Sequence, residues 1–215
     1  GAVSLIVLLL GLVGYYGAAR SVESVNEIGA VRLPSVESLM VIEAEAESIR
    51  GSMRTLAIPG LSRDVRERQY RNLEKSRERY EKAWKVYEPL PQTPEEALVW
   101  KEFVPAWNAW RQANNQAVEL SKKLDRLGVE DKEAQAQALA QLQQLLLTKV
   151  TDRAHTAMGF LDKLVQINSE LGAVEVKKAF DQASFLKTFS FASMILGVLL
   201  ALGLGFFISR SLTRI

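Results

Sequence analysis

Cysteine is absent from this chain and histidine occurs once, at His155. The first absence excludes disulfides, thiolate metal sites, iron–sulfur clusters and covalently attached c-type haem. With one His and no Cys, a dedicated metal or haem site is not expected either, and no cofactor is. His155 lies one helical turn past Asp152 and would make a proton sensor, although a solvated histidine is the plainer reading. No glycine-rich phosphate loop and no carboxylate pocket pattern occurs, so enzymatic activity is not expected. A run of alternating apolar and polar residues is also lacking, which removes the signature of a half-buried strand.

Charge is missing from both ends. Gly1 to Ala19 and Thr188 to Ser209 contain no charged residue. All 25 acidic residues and all but two of the 27 basic ones lie between them, the exceptions being Arg210 and Arg214. The middle is therefore formally neutral, with no basic field for a nucleic acid. Each uncharged run is long enough to cross a bilayer, since a hydrocarbon core of about 30 Å needs roughly 20 helical residues. The first is read as an uncleaved transmembrane helix, with Tyr15 and Tyr16 at an interfacial position. Gly17-Ala18-Ala19 would also suit signal-peptide cleavage. Two spans without interior charges offer no transport pathway. A chain that starts at Gly rather than Met is expected to lack a cytoplasmic beginning.

Between the spans the apolar residues follow helical periods. Leu39, Ile42, Ala46, Ile49, Met53 and Leu56 recur in steps of three and four, a narrow seam suited to packing on other helices. Pro34 is expected to bend this first helix, and Pro59-Gly60 to end it. Leu73, Tyr80, Trp84 and Tyr87 continue the seam in a second helix, from Ser62 to Glu88, whose many charges read as a solvated surface. Thr93 followed by Pro94, Glu95 and Glu96 marks the next start, with a capping hydroxyl, Pro at the first helical position and acids in the first turn.

The third helix carries Trp100, Phe103, Trp107, Trp110, Asn114, Ala117, Ser121 and Leu124 on one stripe, with a kink expected at Pro105 and an end at Gly128. Three tryptophans on a stripe suggest either an aromatic ligand cage or core packing, and the shared buried face favours packing. In the fourth helix the stripe is Val150, Ala154, Ala157, Leu161, Leu164, Asn168 and Leu171. A fourth helix beginning at Asp131 would outrun the first by close to 30 Å at about 1.5 Å per residue. A separate helical cap over Glu133 to Leu147, with a break near Thr148 to Thr151, is expected instead. Short connections force neighbours to be antiparallel, and each helix has one stripe to bury. The fold expected is therefore all-α: an antiparallel up-down-up-down four-helix bundle flanked by two transmembrane helices. Its parts are residues 1–19 and 188–209 in the membrane, 20–187 as the bundle and 210–215 as the start of a linker.

Four ordered stretches give the chain a family likeness: Arg32-Leu33-Pro34, Tyr87-Glu88-Pro89-Leu90 leading to Thr93-Pro94-Glu95-Glu96, Leu164-Val165-Gln166-Ile167-Asn168, and Ile208-Ser209-Arg210-Ser211-Leu212-Thr213-Arg214. Together they resemble the sensory half of a bacterial methyl-accepting chemotaxis protein. The last stretch resembles the opening of a HAMP signal-conversion module, with Ile215 standing where many relatives have Pro. The resemblance implies a homodimer in the bacterial inner membrane whose periplasmic bundle binds a small ligand. It also implies a cytoplasmic kinase and adaptor reached through a following part. A histidine kinase or cyclic-dinucleotide enzyme as output is one alternative. A structural membrane protein whose bundle binds a protein partner is another.

Residue counts place Arg54 and Arg153 at about the same height, some 50 Å from the membrane at 1.5 Å per residue. Arg50 lies a turn below Arg54, beside the seam, while Lys149, Thr151 and Arg153 fall at a helix start whose dipole favours anions. By the resemblance, Arg50 and Arg54 would clamp carboxylates across a dimer interface, with Lys149, Thr151 and Arg153 completing the site. The plainer alternative pairs the arginines with Glu43, Glu47 or Asp152 on the surface. Tyr80, Asn114 and Asn168 fall near a common height on the seams and read as an interior polar layer that fixes register, or as a pocket within one subunit.

Overall fold

The computed structural model describes residues 2–128 and 130–212. No strand occurs among the described residues. The chain forms two compact units, one made of Val31–Glu170 and the other of the described residues up to Ala30 with those from Leu171 onward.

In the first unit, α2 (Leu33–Leu56), α3 (Arg63–Tyr87), α4 (Pro94–Arg126), α5 (Lys132–Leu145) and the opening of α6 (Thr151–Leu212) enclose a single core. Every residue of the Leu39-to-Leu56 seam is buried, as are Val150, Ala154, Ala157, Leu161, Leu164 and Asn168 of the fourth stripe. Helices α2 and α3 pack against each other, and Ser76 Oγ meets Ser48 Oγ at 2.9 Å between them. Aromatic rings fill the space toward α4: Tyr80 sits edge-on to Trp107 with centroids 5.0 Å apart, and Trp84 lies 4.6 Å from Trp100. Ring-on-ring contact is the packing reading of the tryptophan stripe. Helix α4 runs on through Pro105; this residue and Lys101 are both exposed, so the Lys101 carbonyl that loses its donor can be hydrated.

Two expectations change. Arg66 and Gln69 are buried in α3, so not all of its charged and polar face is solvated. The second change concerns the helical cap. Residues Leu146–Val150 form a π turn that joins α5 to α6, so the backbone stays helical where a break is expected. A wider turn leaves a carbonyl behind, and the Thr151 hydroxyl donates to Leu146 O at 2.7 Å. The extra length is supported: α5 packs on α4, and Gln143 Nε2 donates to the Ala57 carbonyl of the α2–α3 turn at 3.0 Å.

In the other unit, α1 (Ala2–Asn26) runs beside α6, with Ser24 Oγ donating to Glu175 Oε2 at 3.4 Å. A second π turn, Glu27–Arg32, follows α1 just before Pro34. Pro34 has no N–H to offer the preceding turn, and the helix rearranges there. Helix α6 contains a stretch long and apolar enough to cross a membrane by length and composition. Phe191, Met194, Leu199, Leu202 and Phe206 are exposed along it. The likeness at Thr213, Arg214 and Ile215 lies outside the described residues.

Candidate functional site

The α3–α4 turn lies at the end of the bundle where the first unit's chain begins and ends, and it carries a dense polar cluster. Thr93 caps α4: its hydroxyl accepts from Glu96 N at 3.2 Å while Thr93 N donates back to Glu96 Oε2 at 3.3 Å. That reciprocal cap turns the Glu96 carboxylate inward, where it has no exposed surface. Arg32 Nη1 donates to Glu96 Oε2 at 2.9 Å and to Asn168 Oδ1 at 2.9 Å. Asn168 Nδ2 donates to Glu96 Oε1 at 2.7 Å, and the Tyr87 hydroxyl donates to the same oxygen at 2.6 Å. Arg32 Nη2 reaches the Pro91 carbonyl at 3.4 Å.

Each oxygen of Glu96 thus receives two donors, from four different parts of the chain. Desolvation by burial, with the hydrogen bond to Glu96 second, holds the Tyr87 phenol well above its ordinary pKa. The charged pair is enclosed, and its remaining hydrogen-bonding capacity is met locally, which is the condition under which a buried ion pair is tolerated.

A family model described as a four helix bundle sensory module for signal transduction matches residues 1–183. The chain belongs to this family. It matches the sensory half of a methyl-accepting chemotaxis protein. Comparison with curated proteins and with solved structures gives no match.

Within the sensory module, three of the four stretches that carry the likeness meet in one place. Arg32, Tyr87 with Glu96, and Asn168 are separated by up to 136 residues, yet all share the Glu96 carboxylate. Arg32, Tyr87 and Glu96 escape a reading based on helix seams, because each has a sufficient local explanation. Glu96 looks like an ordinary first-turn acid and Tyr87 like a seam aromatic.

The interior polar residues separate. Asn168 belongs to the Glu96 cluster. Asn114 is buried on α4, where Nδ2 donates to Trp110 O at 3.0 Å, while its Oδ1 and Trp110 Nε1 have no partner among the described residues. Tyr80 is buried against Trp107. No hydrogen bond among the described residues joins the three into a layer.

The proposed anion-binding residues lie toward the opposite end. Arg50 pairs with Glu47 one turn earlier on α2, and Arg54 is exposed. Lys149 Nζ donates to Gln116 Oε1 at 3.0 Å. Lys149 and Arg153 line a shallow polar cleft with Thr148, Asp152 and Thr156, whereas Thr151 spends its hydroxyl on Leu146 O. Arg50 and Arg54 do not line that cleft.

At this same end, Arg66 is buried. It pairs with Asp125 and donates to Leu56 O at 3.1 Å, Ser121 O at 3.1 Å and Ser121 Oγ at 2.6 Å. Leu56 is the last residue of α2, so its carbonyl is one that the helix leaves unpaired. Tyr70 donates to Asp125 Oδ2 at 2.6 Å, and its pKa is raised by desolvation and then by that hydrogen bond.

Proposed function

We propose that this chain is the sensory half of a transmembrane chemoreceptor, acting as a homodimer in the bacterial inner membrane with the bundle in the periplasm. It binds a small anionic metabolite, an amino acid or organic acid, and catalyses no reaction. Helix α6 carries the response to a cytoplasmic kinase and adaptor. The observation that carries this reading is the family match over residues 1–183.

The Glu96 cluster supplies a physical means. A ligand shifts a bundle only by binding one packing better than another. Arg32 opens the first unit and Asn168 nearly closes it, and both are held to the same carboxylate. Sliding α6 along α2 separates those partners, so the cluster favours discrete registers over gradual drift.

Arg50 and Arg54, with Arg153 of a second subunit, would hold the ligand carboxylates by paired guanidinium hydrogen bonds, and Lys149 and Thr151 of that subunit would complete the site. Calorimetry of the full chain in detergent against amino acids and organic acids tests this. Binding is expected for one compound class and is lost in Arg50→Ala and Arg54→Ala. Undiminished binding in both variants would remove the assigned residues. A flat thermal-shift screen across the metabolites would favour a protein partner instead.

A further inference from the structure

Helices α1 and α6 come together where their uncharged runs give way to the first charged residues. A Cβ added to Gly17 would meet a Leu186 methyl carbon at 2.3 Å, so the Leu186 side chain packs directly over the glycine. Beside that contact lies a cleft of about 320 Å³ lined by Tyr16, Arg20, Asp181, Gln182, Phe185 and Leu186.

Three polar groups in the cleft lack strong partners. The Arg20 guanidinium lies 5.1 Å from the Tyr16 ring centroid and makes no ion pair among the described residues. Asp181 is exposed and makes none either. Gln182 Oε1 is buried and receives no hydrogen bond among the described residues. A buried acceptor without a donor is costly, so the cleft suits an occupant that brings N–H groups.

The required chemistry is an anion for Arg20 and, close to it, a donating cation for Asp181 and Gln182 Oε1. An apolar tail would lie along Leu186 and the neighbouring apolar surface. We propose that the cleft holds the headgroup of a phospholipid bearing a primary ammonium. Its phosphate sits on Arg20 and its ammonium donates to Asp181 and, once the Gln182 amide turns toward the cleft, to Gln182 Oε1. Choline headgroups carry no N–H to donate, and a glycerol headgroup brings no cation to Asp181. This rests on the reading that α1 and α6 cross a membrane.

Full-length protein in nanodiscs of mixed phosphatidylethanolamine, phosphatidylcholine and phosphatidylglycerol, followed by native mass spectrometry of the retained lipid, tests the proposal. Phosphatidylethanolamine is expected to be retained over phosphatidylcholine by roughly tenfold, the scale of one charge-assisted hydrogen bond. Asp181→Asn and Gln182→Leu should erase that preference, and Arg20→Ala should lower retention of every phospholipid while Arg20→Lys keeps it. Equal retention of the two lipids by the parent chain would overturn the proposal, as would a preference unchanged in Asp181→Asn and Gln182→Leu. Displacement of lipid by an equal concentration of soluble phosphoethanolamine would overturn the lipid as the source. Circular dichroism confirms that each variant is folded. Failure of the parent chain to enter nanodiscs would instead sink the membrane reading.

Discussion

Arg32 and Arg66 are both buried at opposite ends of the bundle, yet they face different surroundings. Arg32 meets Glu96, which has no exposed surface, whereas Arg66 meets Asp125, whose side chain keeps 27% of its surface open. Arg32 stands just before α2, and its partners come from the α3–α4 turn, the start of α4 and α6, so the cluster ties together helices distant in sequence. Most partners of Arg66 are carbonyl, hydroxyl and carboxylate oxygens near the ends of α2 and α4, so this arginine acts as a cap. The same side chain therefore locks register at one end and closes helix termini at the other. What separates them is whether the counter-charge can be hydrated when the partner leaves.

The largest test of that difference is Glu96→Ala. It strands a buried guanidinium, and urea unfolding should show a loss of about 3–5 kcal/mol, the usual cost of removing one partner of a buried pair. Arg32→Met combined with Glu96→Leu should recover much of it, because no uncompensated charge remains. Less than 1 kcal/mol for Glu96→Ala alone, at the scale of an exposed pair, would erase the contrast.

Arg66→Met should cost less, about 1–3 kcal/mol, since Asp125 turns to water and only the Leu56 and Ser121 oxygens are left short of a donor. Parity with Glu96→Ala in the same unfolding series would show that the two ends do not differ.

Alkaline unfolding sharpens the comparison through Tyr87. Its folded-state pKa is raised, so the native state keeps a proton that the unfolded chain releases above its ordinary value of 10.0. Stability from this group is complete below pH 10 and falls above it, by up to about 1.4 kcal/mol per pH unit for one proton. Tyr70 shifts in the same direction at the other end. Urea titrations from pH 9 to 11 should give a shallower decline in Tyr87→Phe than in the parent, and an unchanged slope would remove Tyr87 from the alkaline transition.

The smallest effect is expected at Asn114. Its carboxamide oxygen already lacks a partner among the described residues, so Asn114→Leu should change stability by no more than about 1 kcal/mol in either direction. Asn168→Leu, which removes a donor from Glu96, should cost more when thermal melts of the two variants are compared. Equal melting temperatures for the two variants would mean that the Glu96 cluster gives Asn168 no special role.

Much of the bundle was legible from residue spacing. The seam from Leu39 to Leu56 and the stripe from Val150 to Asn168 are buried where their periods place them, because a helix repeats every 3.6 residues whatever it packs against. The Thr93 cap was equally readable, since both of its partners lie within one turn. Glu96 was only half readable for the same reason: the cap accounts for it completely, and its counter-ion is 64 residues away. Arg66 escaped because side-chain charge predicts hydration, while a long guanidinium can exchange water for carbonyls at a helix end. The π turn at Leu146–Val150 leaves no compositional mark, since it uses the same residue types as an α-helix.

The sequence by itself determined that the chain is helical, where its apolar faces lie, where charge is excluded and which sensory family it joins. These follow from local periodicity, composition and ordered short stretches. Only the tertiary structure decided that Arg32, Tyr87, Glu96 and Asn168 share one carboxylate and that Asn114 does not join them. Hydrogen bonding at 2.6–2.9 Å depends on the relative register of packed helices, which no single helix contains.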